Sequence, residues 1–160
     1  MIKNEEKKNG ISLVEVIVGA AITTLILSGL IAAYQLYFKT ALANLRQVEA
    51  AFLTEEGAET LRFLRDGSWS NLSSLTAGAT YYLTFYNGNW QATTSNIFVD
   101  GIFERKFVLT NVYRDGNDDI APTGTLDLNT KKAVITLAWN NGLATTSKSL
   151  EFYLTNFFGD

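Results

Sequence analysis

The stretch GISLVE, Gly10–Glu15, is followed by 23 residues, 16–38, that carry no charged side chain. At about 1.5 Å per residue this run forms a helix of roughly 35 Å, which exceeds the roughly 30 Å hydrocarbon core of a bilayer. The run therefore predicts a membrane-spanning helix. The segment that precedes the run contains three lysines, Lys3, Lys7 and Lys8, and two glutamates. Basic residues before a membrane-spanning helix favour a cytoplasmic N-terminus.

Glu15 stands at the start of this apolar helix, where a carboxylate is unusual. A charged side chain deep in lipid costs about 2.5–3.5 kcal/mol and is usually paired. Cleavage after Gly10 would create a cation, because Ile11 would then carry a free α-amino group. In a bundle of such helices, Glu15 of one copy could neutralise the N-terminus of its neighbour. This pairing predicts a polymerising subunit.

Gly10, Ile11 and Glu15 resemble the prepilin cleavage and methylation motif of the type IV pilin and type II secretion pseudopilin superfamily. In that motif a short basic leader ends in Gly, a hydrophobic residue follows, and Glu is the fifth residue of the mature chain. The resemblance covers about residues 7–40. It implies that a prepilin peptidase cuts between Gly10 and Ile11 and methylates Ile11. It also implies assembly with other pilins or pseudopilins by a motor ATPase and a platform protein, here by analogy as a minor subunit.

The sequence departs from the family pattern at two positions. Ile11 stands where most members have Phe, and Ala32 stands where many have a Pro that bends the helix. Without that Pro no backbone hydrogen bond is missing. Gly29 is therefore the only local weak point, and the sequence leaves open whether the helix bends there in a filament.

Two other interpretations of the N-terminal segment stay open. A secretory signal peptide has a shorter apolar region, of about 7–15 residues, before a small-residue cleavage site. Ala41-Leu42-Ala43 has such residues but lies inside the predicted helix. An uncleaved anchor would make the chain a membrane-anchored extracellular binding module, but it leaves Glu15 without a role. The expected location is the inner membrane, crossed once with the C-terminal head outside, and then a filament at the cell surface or in the periplasm.

The 160-residue chain contains no Cys and no His. Disulfides, zinc sites built on these residues, histidine bases and cysteine nucleophiles are therefore excluded. The net charge of -3 argues against a basic face that binds nucleic acid. The sequence shows no glycine-rich phosphate loop, nucleophile elbow or acid–base pair, so we expect a protein that is not an enzyme.

Apolar residues continue beyond Phe38 at spacings of three and four, which is typical of an amphipathic helix. The stripe contains Leu42, Leu45, Val48, Phe52, Ala58, Leu61 and Leu64. It predicts a helix that ends near Asp66 and buries this stripe against its own chain. Gly57 should weaken the helix by about 1 kcal/mol relative to Ala.

The residues after Trp69 predict strands. Aromatic and β-branched residues fill 81–86, Asn87-Gly88 is a hairpin signal, and 90–93 would return. Alternation of apolar and polar residues predicts three more strands, which would form an antiparallel meander. They are 103–113, 132–139 and 149–157, the last two joined around Asn140-Asn141-Gly142.

These patterns predict an α+β, pilin-like fold in which a long N-terminal helix packs on a C-terminal antiparallel sheet. From about Ser12 to Arg65 the helix would be about 80 Å long. The expected segments are a leader 1–10, a membrane and filament-core helix 11–38, an amphipathic extension 39–66, and an exported head 67–160.

Asp115, Asn117 and Asp119 stand at alternate positions, as in the opening of an EF-hand calcium loop, and Asp127 and Asn129 could approach them across a hairpin. The glycine and glutamate that complete such a loop are absent. A polar turn explains the same residues. The expected cofactor is therefore none, with calcium as the alternative.

Aromatic residues are plentiful after Trp69. Exposed rings could bind sugars or a partner surface. In strands, however, such residues are more often core residues or cross-strand pairs.

Overall fold

The computed structural model describes residues 12–140 and 144–159. The chain divides into two compact units at the boundary between Asn44 and Leu45. The first unit contains the N-terminal part of helix α1 (Leu13–Gly67). Every residue from Ser12 to Leu42 is exposed.

Four hydroxyl side chains in the first unit are satisfied within the helix. Each hydroxyl group donates a hydrogen bond of 2.7–3.0 Å to the backbone carbonyl oxygen four residues earlier. The residues are Thr23, Thr24, Ser28 and Thr40. This back-bonding is common for Ser and Thr in helices. It satisfies these four polar groups on an otherwise apolar segment.

The second unit contains the rest of α1, a short helix α2 (Ser70–Ser73) and an antiparallel sheet. Its strands are β1 (Thr80–Tyr86), β2 (Asn89–Thr93), β3 (Phe98–Val99), β4 (Phe103–Arg114), β5 (Ile120–Ala121), β6 (Thr125–Asn140) and β7 (Thr145–Thr155). The main order is β2-β1-β4-β6-β7, and the short strands β3 and β5 each pair with β4. The α+β class, the long helix and the antiparallel sheet are thus confirmed.

The predicted hairpin is present, and Asn87 and Gly88 have φ values of 51° and 79°. Positive φ at both turn residues suits the right-handed twist of the strands on either side. The predicted meander of the last three long strands is also present. The turn predicted to join its last two strands lies partly outside the described residues, which resume at Ala144.

Strand β6 begins seven residues earlier than predicted. Its first part, from Thr125, pairs with the end of β4 beyond a register shift between Asn111 and Val112. Such an irregularity marks a β-bulge. The polar residues 129–132 separate Leu128 from the apolar residues that begin at Ala133, so the sequence pattern did not indicate this part of the strand.

The sheet-facing side of α1 in the second unit consists largely of small residues. The buried positions are Ala50, Thr54, Gly57, Ala58, Thr60, Leu61 and Leu64. Opposite them lie larger side chains of the sheet, among them Phe103, Phe107, Ile135 and Leu137, each at most 1% exposed. A Cβ at Gly57 would lie 3.3 Å from Arg105 Cδ and 3.4 Å from Ile135 Cδ1. Gly57 therefore serves the close approach of helix and sheet.

The prediction that the whole apolar stripe packs against its own chain is wrong for its first part. Leu45, Val48 and Phe52 are 62%, 54% and 67% exposed. They lie on the side of the helix opposite Ala50 and Leu61. The prediction was wrong because it assigned the large apolar residues of the helix to the buried face, whereas the residues that pack against the sheet are mostly small.

Candidate functional site

The residues that the motif assigns to processing belong to the N-terminal end of the chain. Gly10 and Ile11 lie outside the described residues. Glu15 is in the first turn of α1, where its backbone N–H donates to the Ser12 carbonyl oxygen at 2.9 Å. Glu15 is exposed, and none of the ion pairs among the described residues involves it. The helix dipole favours a carboxylate at this position.

The helix that carries Glu15 has an apolar surface. It is long and apolar enough to cross a membrane, with a mean hydropathy of 2.3 over its apolar window, and none of that window is buried. Exposed apolar area of this extent is unfavourable in water. Lipid or other apolar chains would have to cover it.

The loop at 115–119 is organised around the Asp115 carboxylate. Its Oδ1 accepts the backbone N–H groups of Asn117 at 2.8 Å and Asp119 at 3.1 Å. The three candidate calcium ligands therefore lie together, but two of them direct N–H donors at the third. This is an Asx turn, whereas calcium requires six or more converging oxygens. Within residues 12–140 and 144–159, no group of three or more His, Cys, Asp or Glu side chains is placed to hold a metal.

Arg114 connects this loop to β6. Its Nε donates to Asp127 Oδ2 at 2.7 Å, and its Nη1 donates to the Asp118 carbonyl oxygen at 2.8 Å. Burial raises the pKa of Asp127, but the effects that lower it, of which the hydrogen bond from the Arg114 side chain is the largest, outweigh burial. The pKa of Asp127 therefore lies below its ordinary value of 3.8. Asp127 does approach the loop, as predicted, but as the partner of an arginine.

A buried arginine lies between helix and sheet in the second unit. Arg105 is 4% exposed, and its Nη1 lies 3.3 Å from Glu56 Oε2 and donates to the Leu53 carbonyl oxygen at 3.3 Å. Its guanidinium carbon lies 5.4 Å from the centroid of the Trp90 ring. Its Nε is buried and has no hydrogen-bond partner in the described part of the chain. Arg105 is thus fixed by an ion pair, a backbone contact and an aromatic ring.

In the predicted strand 103–113, Arg105 stands between Phe103 and Phe107 on the alternating apolar face, but the sequence does not show its partners. A charged residue within an alternating apolar pattern is a usable signal, because a buried charge requires pairing. The identity of the partners was not readable. Glu56 lies on the helix and Trp90 lies on another strand, and only folding brings them to Arg105.

Comparison of the chain with models of protein families, with curated proteins and with solved structures gave no match. The structure shows the long apolar helix and the antiparallel sheet directly. Assignment to a family is a proposal that rests on the motif at Gly10, Ile11 and Glu15.

Proposed function

We propose that this chain is a prepilin-like structural subunit, cut by a prepilin peptidase and assembled with sibling pilins into a type IV pilus or a type II secretion pseudopilus, as a minor subunit. The observation that supports it best is the exposed carboxylate of Glu15 at the start of a helical segment, 12–42, in which no residue is buried. The exposed apolar surface of this segment requires an apolar partner that covers it, and the carboxylate of Glu15 requires a cation that neutralises it. Neighbouring copies meet both requirements.

Each residue of the motif has a distinct role in this proposal. Gly10 determines cleavage, and Ile11 becomes the methylated N-terminus. Glu15 neutralises the α-amino group of a neighbouring subunit as the helices pack. The uncut chain spans the inner membrane with its N-terminus in the cytoplasm, and the assembly ATPase and platform protein move the cut subunit into the filament.

The exposed apolar residues of α1 in the second unit also support assembly. Leu45, Val48 and Phe52 are spaced by three and four residues, so they share one face of the helix. That face points away from the sheet and is not covered by described residues of this chain. We assign it to contact with a neighbouring subunit.

The first test is the mass and N-terminal sequence of the full chain, expressed with and without a prepilin peptidase. We expect a product that begins at Ile11 and is heavier by one methyl group, only when the peptidase is present. An intact chain in both samples would favour the uncleaved membrane-anchored binding module.

The second test separates cleavage from assembly, in a host with a complete pilus machinery. Glu15→Ala should be cut and remain in the membrane but fail to enter filaments. Glu55→Ala, which removes another exposed carboxylate from the same helix, should be cut and assembled normally. Normal filaments from Glu15→Ala would contradict the proposed charge pairing.

A further inference from the structure

An open groove of about 520 Å³ lies beside α1 in the second unit. It is lined by Glu56, Glu59, Thr60, Phe63 and Trp90. The Phe63 ring is 59% exposed, and Trp90 is partly exposed. Small-molecule sites typically combine aromatic walls with a few polar groups, and this groove presents both.

Trp90 also borders a second open groove, of about 450 Å³. This groove has polar side chains along one side, from Ser70, Asn71 and Ser74. One indole ring is therefore shared by two adjoining grooves. Together the grooves can take an extended ligand that places one unit on each side of Trp90.

The Trp90 ring is held in place before any ligand binds. Phe85, its register partner on β1, packs edge-on against it with ring centroids 5.4 Å apart. The buried Arg105 guanidinium lies 5.4 Å from its centroid. A ring braced in this way loses little freedom on binding, which favours its use as a stacking platform.

The charges at the groove are balanced within the chain. Glu56 pairs with Arg105, and Glu59 pairs with Arg62. The glutamate side chains are nevertheless 47% and 70% exposed, so carboxylate oxygens remain accessible for hydrogen bonds. The groove thus suits a ligand that is neutral, donates hydroxyl groups and has an apolar face.

We propose that the two grooves form a binding site for a neutral oligosaccharide. The C–H face of a pyranose ring is apolar and stacks on Trp90 and Phe63, while the hydroxyl groups at the ring edge donate to Glu56 and Glu59. The next sugar unit lies in the second groove, against Asn71 and the serines. The residues that line the two grooves include neither Glu15 nor the residues assigned to subunit contact, which are Leu45, Val48 and Phe52.

The test uses the full chain in phosphatidylcholine nanodiscs, which avoids sugar-based detergents. Cellohexaose, maltohexaose and chitohexaose are titrated separately while tryptophan emission is recorded. Trp69 and Trp139 are each 5% exposed, so a change in emission reports on Trp90. We expect a saturable change with at least one of the three sugars.

Two matched variants locate the site. Phe63→Ser removes one stacking ring and should weaken binding by about tenfold. Phe52→Ser removes a ring of similar exposure from the same helix, outside the groove, and should leave binding unchanged. Both side chains are largely exposed, so we expect both variants to fold, and circular dichroism checks this.

Three outcomes would overturn the proposal. The first is no saturable response to any of the sugars up to about 10 mM, beyond the weak end of specific binding. The second is equal binding by the Phe63→Ser and Phe52→Ser variants. The third is an emission change that follows protein concentration instead of sugar concentration, which would assign the groove to a second copy of the chain.

Discussion

Replacing Gly124 by alanine should destabilise the second unit, because the structure leaves no room for a Cβ there. Gly124 directly precedes β6 and has a φ of +145°, which L side chains rarely adopt. A Cβ would lie 2.8 Å from the Arg114 carbonyl carbon and closer still to its oxygen. Arg114 ends β4 and pairs with Ile120 on β5 and Thr125 on β6. It cannot yield without loosening both pairings.

The expected cost has two parts. A backbone conformation that only glycine adopts readily costs about 1–3 kcal/mol, and overpacking against a fixed neighbour costs about 1–3 kcal/mol. Because the turn lies at the end of the sheet and can shift in part, we expect the free energy of unfolding to fall by about 3 kcal/mol. With a urea m-value of about 2 kcal/mol/M, the midpoint falls by about 1.5 M.

The assay is urea unfolding of the full chain in nanodiscs, followed by tryptophan emission, since Trp69 and Trp139 are buried in the second unit. The matched control is Gly116→Ala in the neighbouring loop, where a Cβ would meet nothing within 4 Å and φ is not positive. The control should change the free energy of unfolding by less than about 0.5 kcal/mol. Equal midpoints for the two variants would refute the reasoning.

Three further predictions use the same urea assay. Leu61→Ala, at a fully buried position, should lower the free energy of unfolding by about 2–5 kcal/mol. Leu45→Ala, at a position 62% exposed, should change it by less than about 0.5 kcal/mol. Similar losses for the two variants would contradict the assignment of the buried face. Arg105→Met should be close to neutral, because it removes a buried charge whose Nε has no partner in the described residues and leaves behind Glu56, whose side chain is 47% exposed to water, and a clear loss of stability would show that the pair with Glu56 outweighs desolvation. Because the pKa of Asp127 is lowered, its contribution to the free energy of unfolding is full above pH 3.8 and is lost as the pH falls through the lowered value. Asp127→Asn should therefore be less stable than wild type at neutral pH, and its stability should fall less steeply in acid. Parallel pH profiles of the two proteins would count against this role.

Local physics explains which parts of the second unit were predictable. The pair Asn87-Gly88 defines a turn because both residues accept positive φ. The alternation around Arg105 defines a strand with a buried face, because successive side chains of a strand point to opposite sides. Neither inference depends on distant residues.

The loop at Asp115 was predictable in type but not in detail. Its composition indicated either a turn or a calcium loop, since both use the same residues. The geometry shows the carboxylate as a hydrogen-bond acceptor for two backbone N–H groups. The contact between Arg114 and Asp127 depends on the pairing of β4 with β6, which a local pattern does not specify.

The sequence by itself determined the long apolar helix, the position of Glu15 and the five longer strands except the start of β6, because length without charge, one carboxylate and a period of two are local properties. Tertiary structure alone decided which face of α1 is buried. Apolar residues occupy both faces between Leu45 and Leu64, and the large side chains of the sheet accept only the face with Ala50, Gly57 and Ala58. It also decided that Arg105, Glu56 and Trp90 meet, because contacts between residues far apart in the chain form only when helix and sheet pack together.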